Sequence, residues 1–241
     1  MEKSIKINTK DQKIIHGTLN TSRDSDKLVI FVHGLADNQN NHLFYNAAKY
    51  LSKNSFSTFR FDLYSWEKDA RKFKDCTLDT HAEDLNTVIG HFRTKFSNSY
   101  LVGHSLGCPT ILLSNLDYAN AIVFWDPSYS LKKFMPEISK FDKELGVHVL
   151  DGAYEIVVRD KMYKSLTDDF PDCFGIVRNL KKPLKIIAAG SGLLLEGAKK
   201  YEQVANNPKK LTVIEGATHC FDEEGAEEEL FKETLNWLKK F

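Results

Sequence analysis

The chain has 241 residues, 42% hydrophobic and 27% charged, the make-up of an ordinary globular protein with enough length for a sizeable core. Lysine plus arginine (33) offsets aspartate plus glutamate (33), so no net field draws the protein to nucleic acid or an anionic membrane. No apolar run reaches the length of a membrane span, and the charged start Met1-Glu-Lys-Ser-Ile-Lys-Ile7 lacks the apolar stretch of a signal peptide; the expectation is a cytoplasmic protein.

Ser4–Asn8 and Ile14–Asn20, around Lys10-Asp11-Gln12, predict an antiparallel hairpin at a sheet edge. Lys27–Val32 is an almost unbroken apolar run, as expected of a strand covered on both faces, and it ends at His33-Gly34-Leu35. A helix follows the polar loop 37–41, with Phe44, Ala47, Ala48 and Leu51 on one face. Ser57–Phe61 is the next strand, Thr77–Thr94 a helix with Leu85, Val88, Ile89 and Phe92 at helical spacing, and Ala121–Trp125 a strand ending at Asp126-Pro127. Residues 127–182 break the alternation and include a candidate hairpin, Val147–Leu150 with Tyr154–Val158. Strand Pro183–Ala189, a helix over Gly197–Ala205, strand Leu211–Ile214 and a last helix with Leu230, Phe231, Leu235, Trp237 and Leu238 complete the series. This order predicts an α/β protein, one domain over 1–241 with a mainly parallel sheet, helices on both faces and an inserted segment near 127–182.

The most specific signal is Gly103-His-Ser105-Leu-Gly107, preceded by the apolar strand Tyr100–Val102 and followed by a helical pattern. A serine raised on a sharp strand-to-helix turn needs small neighbours two residues away on each side, which is what Gly103 and Gly107 supply. Such a serine is a poor nucleophile until a nearby base takes its proton. Cys76, Cys108, Cys173 and Cys220 include no C-x-x-C pair, which argues against a disulfide scaffold or a zinc site. No G-x-G-x-x-G or phosphate loop is present, so neither cofactor nor metal is expected.

Four stretches in order, Phe31-Val-His-Gly-Leu35, Phe59-Arg-Phe-Asp-Leu63, Gly103–Gly107 and Gly216-Ala-Thr-His219, resemble the α/β-hydrolase superfamily. Phe61-Asp-Leu63, Phe73–Leu78 and Ala82-Glu-Asp-Leu85 look like the cinnamoyl/feruloyl esterases and monoacylglycerol lipases within it. The resemblance implies a nucleophile at Ser105, a base at His219 after the last strand, and an oxyanion hole formed by the backbone N–H groups of Leu35 and Leu106. It also implies that the insert covers the serine, with aromatics such as Phe134, Phe141, Tyr154, Phe170 and Phe174 either lining the pocket or anchoring the insert to the body. His104 lies beside the serine, from which its side chain diverges, and His33 is read as structural.

The third member of a catalytic triad is not where the superfamily keeps it. The usual Gly-x-x-Asp after the Leu184–Ala189 strand is replaced by Gly190-Ser-Gly-Leu193, which has no carboxylate. Asp126, in a Trp-Asp-Pro-Ser setting after the preceding strand, is one substitute; Pro127 restricts it to extended backbone. Glu196, three residues beyond the empty position, is the other. The expected activity is cleavage of a small-molecule carboxylic ester through an acyl-enzyme. The alternatives are a thioesterase or acyltransferase using the same residues, or a non-catalytic ligand-binding homologue.

Overall fold

The opening segments pair antiparallel: β1 (Glu2–Asn8) lies on β2 (Ile14–Asn20), from Glu2 opposite Asn20 to Asn8 opposite Ile14. The computed structural model describes residues 1–23, 25–132, 134–150 and 156–241, so the expectation for Tyr154 falls outside the described residues. β3 (Lys27–Val32) sends alternate side chains to opposite faces: Leu28, Ile30 and Val32 enter one apolar cluster, Val29 and Phe31 another. That is the physical meaning of its unbroken apolar run. α1 (His42–Ser52) starts where the Asn41 side chain accepts the Leu43 N–H, and its buried stripe of Leu43, Phe44, Ala47, Ala48 and Leu51 covers the second face.

β4 (Ser57–Phe61) is followed by a short 3-10 turn and by α2 (Leu78–Phe92). Thr77 is the cap of α2 rather than its first helical residue, accepting the Thr80 N–H at 3.1 Å. β5 (Asn98–His104) runs into α3 (Gly107–Leu113), and β6 (Ala119–Trp125) follows. Then come α4 (Met135–Ile138), β7 (Ser139–Asp142), β8 (Val147–Leu150), β9 (Ile156–Val158), α5 (Asp160–Leu166) and α6 (Cys173–Asn179). β7, β8 and β9 form a small antiparallel sheet of their own. α6 instead returns to the body, adding Cys173 and Val177 to the first cluster. β10 (Leu184–Ala189), α7 (Leu195–Val204), β11 (Lys209–Ile214) and α8 (Ala226–Leu238) resume the alternation.

Among the described residues the main sheet has eight strands in the order β1-β2-β4-β3-β5-β6-β10-β11. It is parallel from β4 to β11 and antiparallel at the β1–β2–β4 edge. α1 and α8 cover one face; α2, α3, α6 and α7 cover the other. From β3 the chain first steps outward to β4, then crosses back to place β5 on the other side. The crevice between the carboxyl ends of β3 and β5 is therefore the point where a ligand is expected to sit. His33-Gly34-Leu35 and Ser105 lie at those two ends. No described helix is long and apolar enough to cross a membrane.

Candidate active site

Ser105 stands between β5 and α3 with φ +54°, a left-handed backbone that L residues rarely hold. The turn is possible because its glycines have no side chain: a Cβ on Gly107 would lie 2.1 Å from the Val32 carbonyl oxygen, and one on Gly103 would lie 2.9 Å from Gly107 C. Gly34 leaves similar room, since a Cβ there would meet Ser105 Cβ at 3.0 Å. Leu35 and Leu106 line the same cavity as Ser105, and neither backbone N–H has an acceptor among the described residues. Both are therefore available to an incoming oxygen.

His33 holds the Leu35 turn in place. Its Nδ1–H donates to the Gly34 carbonyl at 2.9 Å, while Nε2 accepts the Leu63 N–H at 3.0 Å, which fixes one neutral tautomer. Burial pushes its pKa down, so it stays uncharged. Of six described non-glycine residues with left-handed backbone, four, Ala36 (φ +56°), Ser105, Asp126 (φ +40°) and Phe221 (φ +53°), are candidate groups or lie within two residues of one. Strain concentrated in this way is typical of functional sites.

Asp126 is fully buried, and its Oδ2 lies 2.6 Å from Nδ1 of His219. Its Oδ1 accepts the Ala189 N–H at 3.2 Å, and its own N–H donates to the Ile187 carbonyl at 2.8 Å. These contacts with β10 overturn the expectation that Pro127 keeps Asp126 extended: the backbone turns left-handed because it must reach β10 and the imidazole together. Glu196 is not brought to His219. It lies in the first turn of α7 with its side chain 79% exposed, paired with Lys199 at 2.7 Å. Leu193, at the position emptied of a carboxylate, is 89% exposed on the rim of the cavity.

His219 and Ser105 line one cavity of about 620 Å³, with Leu35, Leu106, Leu131, Phe134, Leu193 and Leu194 supplying apolar wall. Among the described residues the hydrogen-bond partner of Ser105 Oγ is Ser128 Oγ at 3.4 Å rather than His219. A wider cavity of about 890 Å³ opens beyond Ala36, walled by Tyr64, Trp66 and Phe73, but holds neither Ser105 nor His219.

Sequence reasoning missed three residues that contact these groups or the loop that carries His219. His104 donates from Nε2 to the His219 carbonyl at 2.9 Å and packs its ring 4.6 Å from the His219 ring; burial pushes its pKa down to about 3, so it is a neutral spacer. His42, the first residue of α1, pairs with Asp222 of the His219 loop at 2.9 Å and with Glu227 in the first turn of α8 at 2.6 Å. Ser128 is the third. None has a local signature, since each acts across the sheet top. Among the described residues no group of three or more His, Cys, Asp or Glu side chains is placed to hold a metal ion.

The family model for the alpha/beta hydrolase fold matches residues 27–143. Among solved structures, Est1E from Butyrivibrio proteoclasticus with ferulic acid bound is similar, at 20% identity and TM-score 0.83 over 98% of each chain. The esterase domain of a Rhodothermus marinus protein is similar at 16% identity and TM-score 0.77, over 100% of this chain and 98% of that one. An esterase of Pyrococcus furiosus is similar at 19% identity and TM-score 0.76, over 100% and 93%. No curated protein sequence matches. The chain has the α/β-hydrolase fold; at these identities the likeness to the solved structures is one of fold.

Proposed function

We propose that the protein is a serine hydrolase that cleaves carboxylic esters through an acyl-enzyme. Ser105 is the nucleophile, His219 the base and Asp126 the acid. Oγ of Ser105 attacks the ester carbonyl while its proton passes to Nε2 of His219, and the Leu35 and Leu106 N–H groups take the charge that develops on the carbonyl oxygen. The imidazolium returns that proton to the departing alcohol. In the second half, His219 takes a proton from water, hydroxide adds to the acyl carbon, and Ser105 leaves with the proton restored. Asp126 fixes the Nδ1–H tautomer and stabilises the imidazolium.

The observation that carries this reading is the buried Asp126 carboxylate 2.6 Å from His219 Nδ1, on an imidazole that shares a cavity with Ser105. The apolar wall fits a neutral ester with an apolar acyl group better than a charged one. Turnover of p-nitrophenyl esters over several acyl lengths tests it. The parent protein is expected to hydrolyse at least one of them, and Ser105→Ala to reduce kcat by at least about a thousandfold. A folded parent that hydrolyses none contradicts the proposal. A non-catalytic ligand-binding protein is the second reading, favoured by the Ser105 hydrogen bond going to Ser128 instead of His219; ligand binding without turnover would mark it.

A further inference from the structure

Ser128 has no part in the mechanism above, yet its hydroxyl is the group that Ser105 Oγ touches. It follows Asp126 by two residues, is 3% exposed, and lines the same cavity as Ser105 and His219. Its backbone is fixed on both sides: the N–H donates to the Ser105 carbonyl at 3.2 Å, and the carbonyl accepts the buried Tyr201 hydroxyl at 2.8 Å. With Pro127 as a rigid link, the segment Asp126-Pro127-Ser128 thus touches His219 Nδ1 at one end and Ser105 Oγ at the other.

A serine hydroxyl has one proton, which points to one acceptor at a time. The Ser105–Ser128 contact allows either hydroxyl to donate; with Ser105 as donor its proton points to Ser128 Oγ, whereas base catalysis needs it directed at His219 Nε2. We infer that Ser128 is a positioning residue that holds the Ser105 hydroxyl away from His219 in the empty site. The inference rests on the serine-hydrolase reading above. An acyl group entering the cavity meets Ser128 directly, so occupancy and release are linked. When Ser105 turns, its proton redirects to Nε2 and Ser128 keeps its own, leaving the proton count of the acylation step unchanged. At 3.4 Å the contact is longer than a good O–H···O bond, so the hold is weak and its release cheap.

The test is the second-order rate at which a fluorophosphonate labels Ser105, followed across pH for the parent, Ser128→Ala and Ser128→Thr. Ser128→Ala is expected to raise the plateau rate about threefold, the low end for a neutral hydrogen bond. Its acid limb should stay where the parent has it, because Asp126 and His219 are untouched; Ser128→Thr, which keeps a hydroxyl, should restore the parental rate. A merely structural serine would give an unchanged or slower Ser128→Ala, and either result overturns the inference, as does a shifted acid limb. A parent that takes no label and turns over no ester overturns the hydrolase reading, and this inference with it. A labelled parent with a slow Ser128→Ala overturns this inference alone.

Discussion

Ser105 at the end of β5 and Asp126 at the end of β6 both hold left-handed backbone, at φ +54° and +40°, yet only Ser105 is flanked by glycines. The difference lies in what presses on each turn. At β5 the chain doubles back into α3 so closely that Gly107 runs against the Val32 carbonyl, and a side chain there has nowhere to go. At β6 the chain leaves toward the insert, and the turn is imposed from a distance by Ile187 and Ala189 of β10 and by His219. Crowding within a short stretch writes a motif into the sequence, whereas a demand from a neighbouring strand does not.

Asp126→Asn tests the β6 side most severely. It keeps the shape but lets the imidazole take the wrong tautomer, and kcat for a p-nitrophenyl ester should fall by about a thousandfold to ten-thousandfold. Glu196→Gln, in the solvent-facing pair with Lys199, should stay within about twofold of the parent. Equal losses in the two variants would erase the distinction between the two carboxylates.

On the β5 side, Gly107→Ala should destabilise the fold by about 3 kcal/mol or more in urea denaturation, since its Cβ meets backbone that cannot swing away. Gly90 is the control: it lies in α2, exposed, with nothing within 4 Å of an added Cβ. Gly90→Ala should stabilise by about 0.5–1 kcal/mol through helix propensity alone. If the two alanines behaved alike, close approach would not explain the elbow glycines.

A smaller effect separates the acid sensitivity of the fold from that of the site. Burial pushes the His81 imidazole, whose nitrogens find no partner among the described residues, from 6.5 down to about 3. The folded state therefore favours the neutral ring: its contribution is intact above about pH 6.5 and is lost as pH falls toward 3. Between pH 7 and pH 5 that loss is about 2 kcal/mol, and His81→Leu should escape it in denaturation measured at both values. Equal pH sensitivity of parent and variant would contradict this.

The same contrast explains how much could be read from the sequence. The apolar run Lys27–Val32 and the helical spacing of Leu85, Val88, Ile89 and Phe92 report burial by neighbours every strand and helix of this fold shares, so sheet and helices were legible. The turn that raises Ser105 was legible through its glycines, and the placement of His219 in the same cavity through its position after the last strand. The choice between Asp126 and Glu196 was not, because it depends on which strand end faces the imidazole. Pro127 suggested extended backbone at Asp126 from local sterics alone, and contacts with β10 outweigh that preference. The contacts of His104, His42 and Ser128 were hidden for the same reason.

Mass mapping of a fluorophosphonate adduct tests most directly whether Asp126, through His219, activates Ser105. One adduct per chain is expected, on the peptide that contains Ser105, forming far more slowly in Asp126→Asn and at the parental rate in Glu196→Gln. An adduct on another residue, or labelling of Ser105 that is indifferent to Asp126, would contradict it.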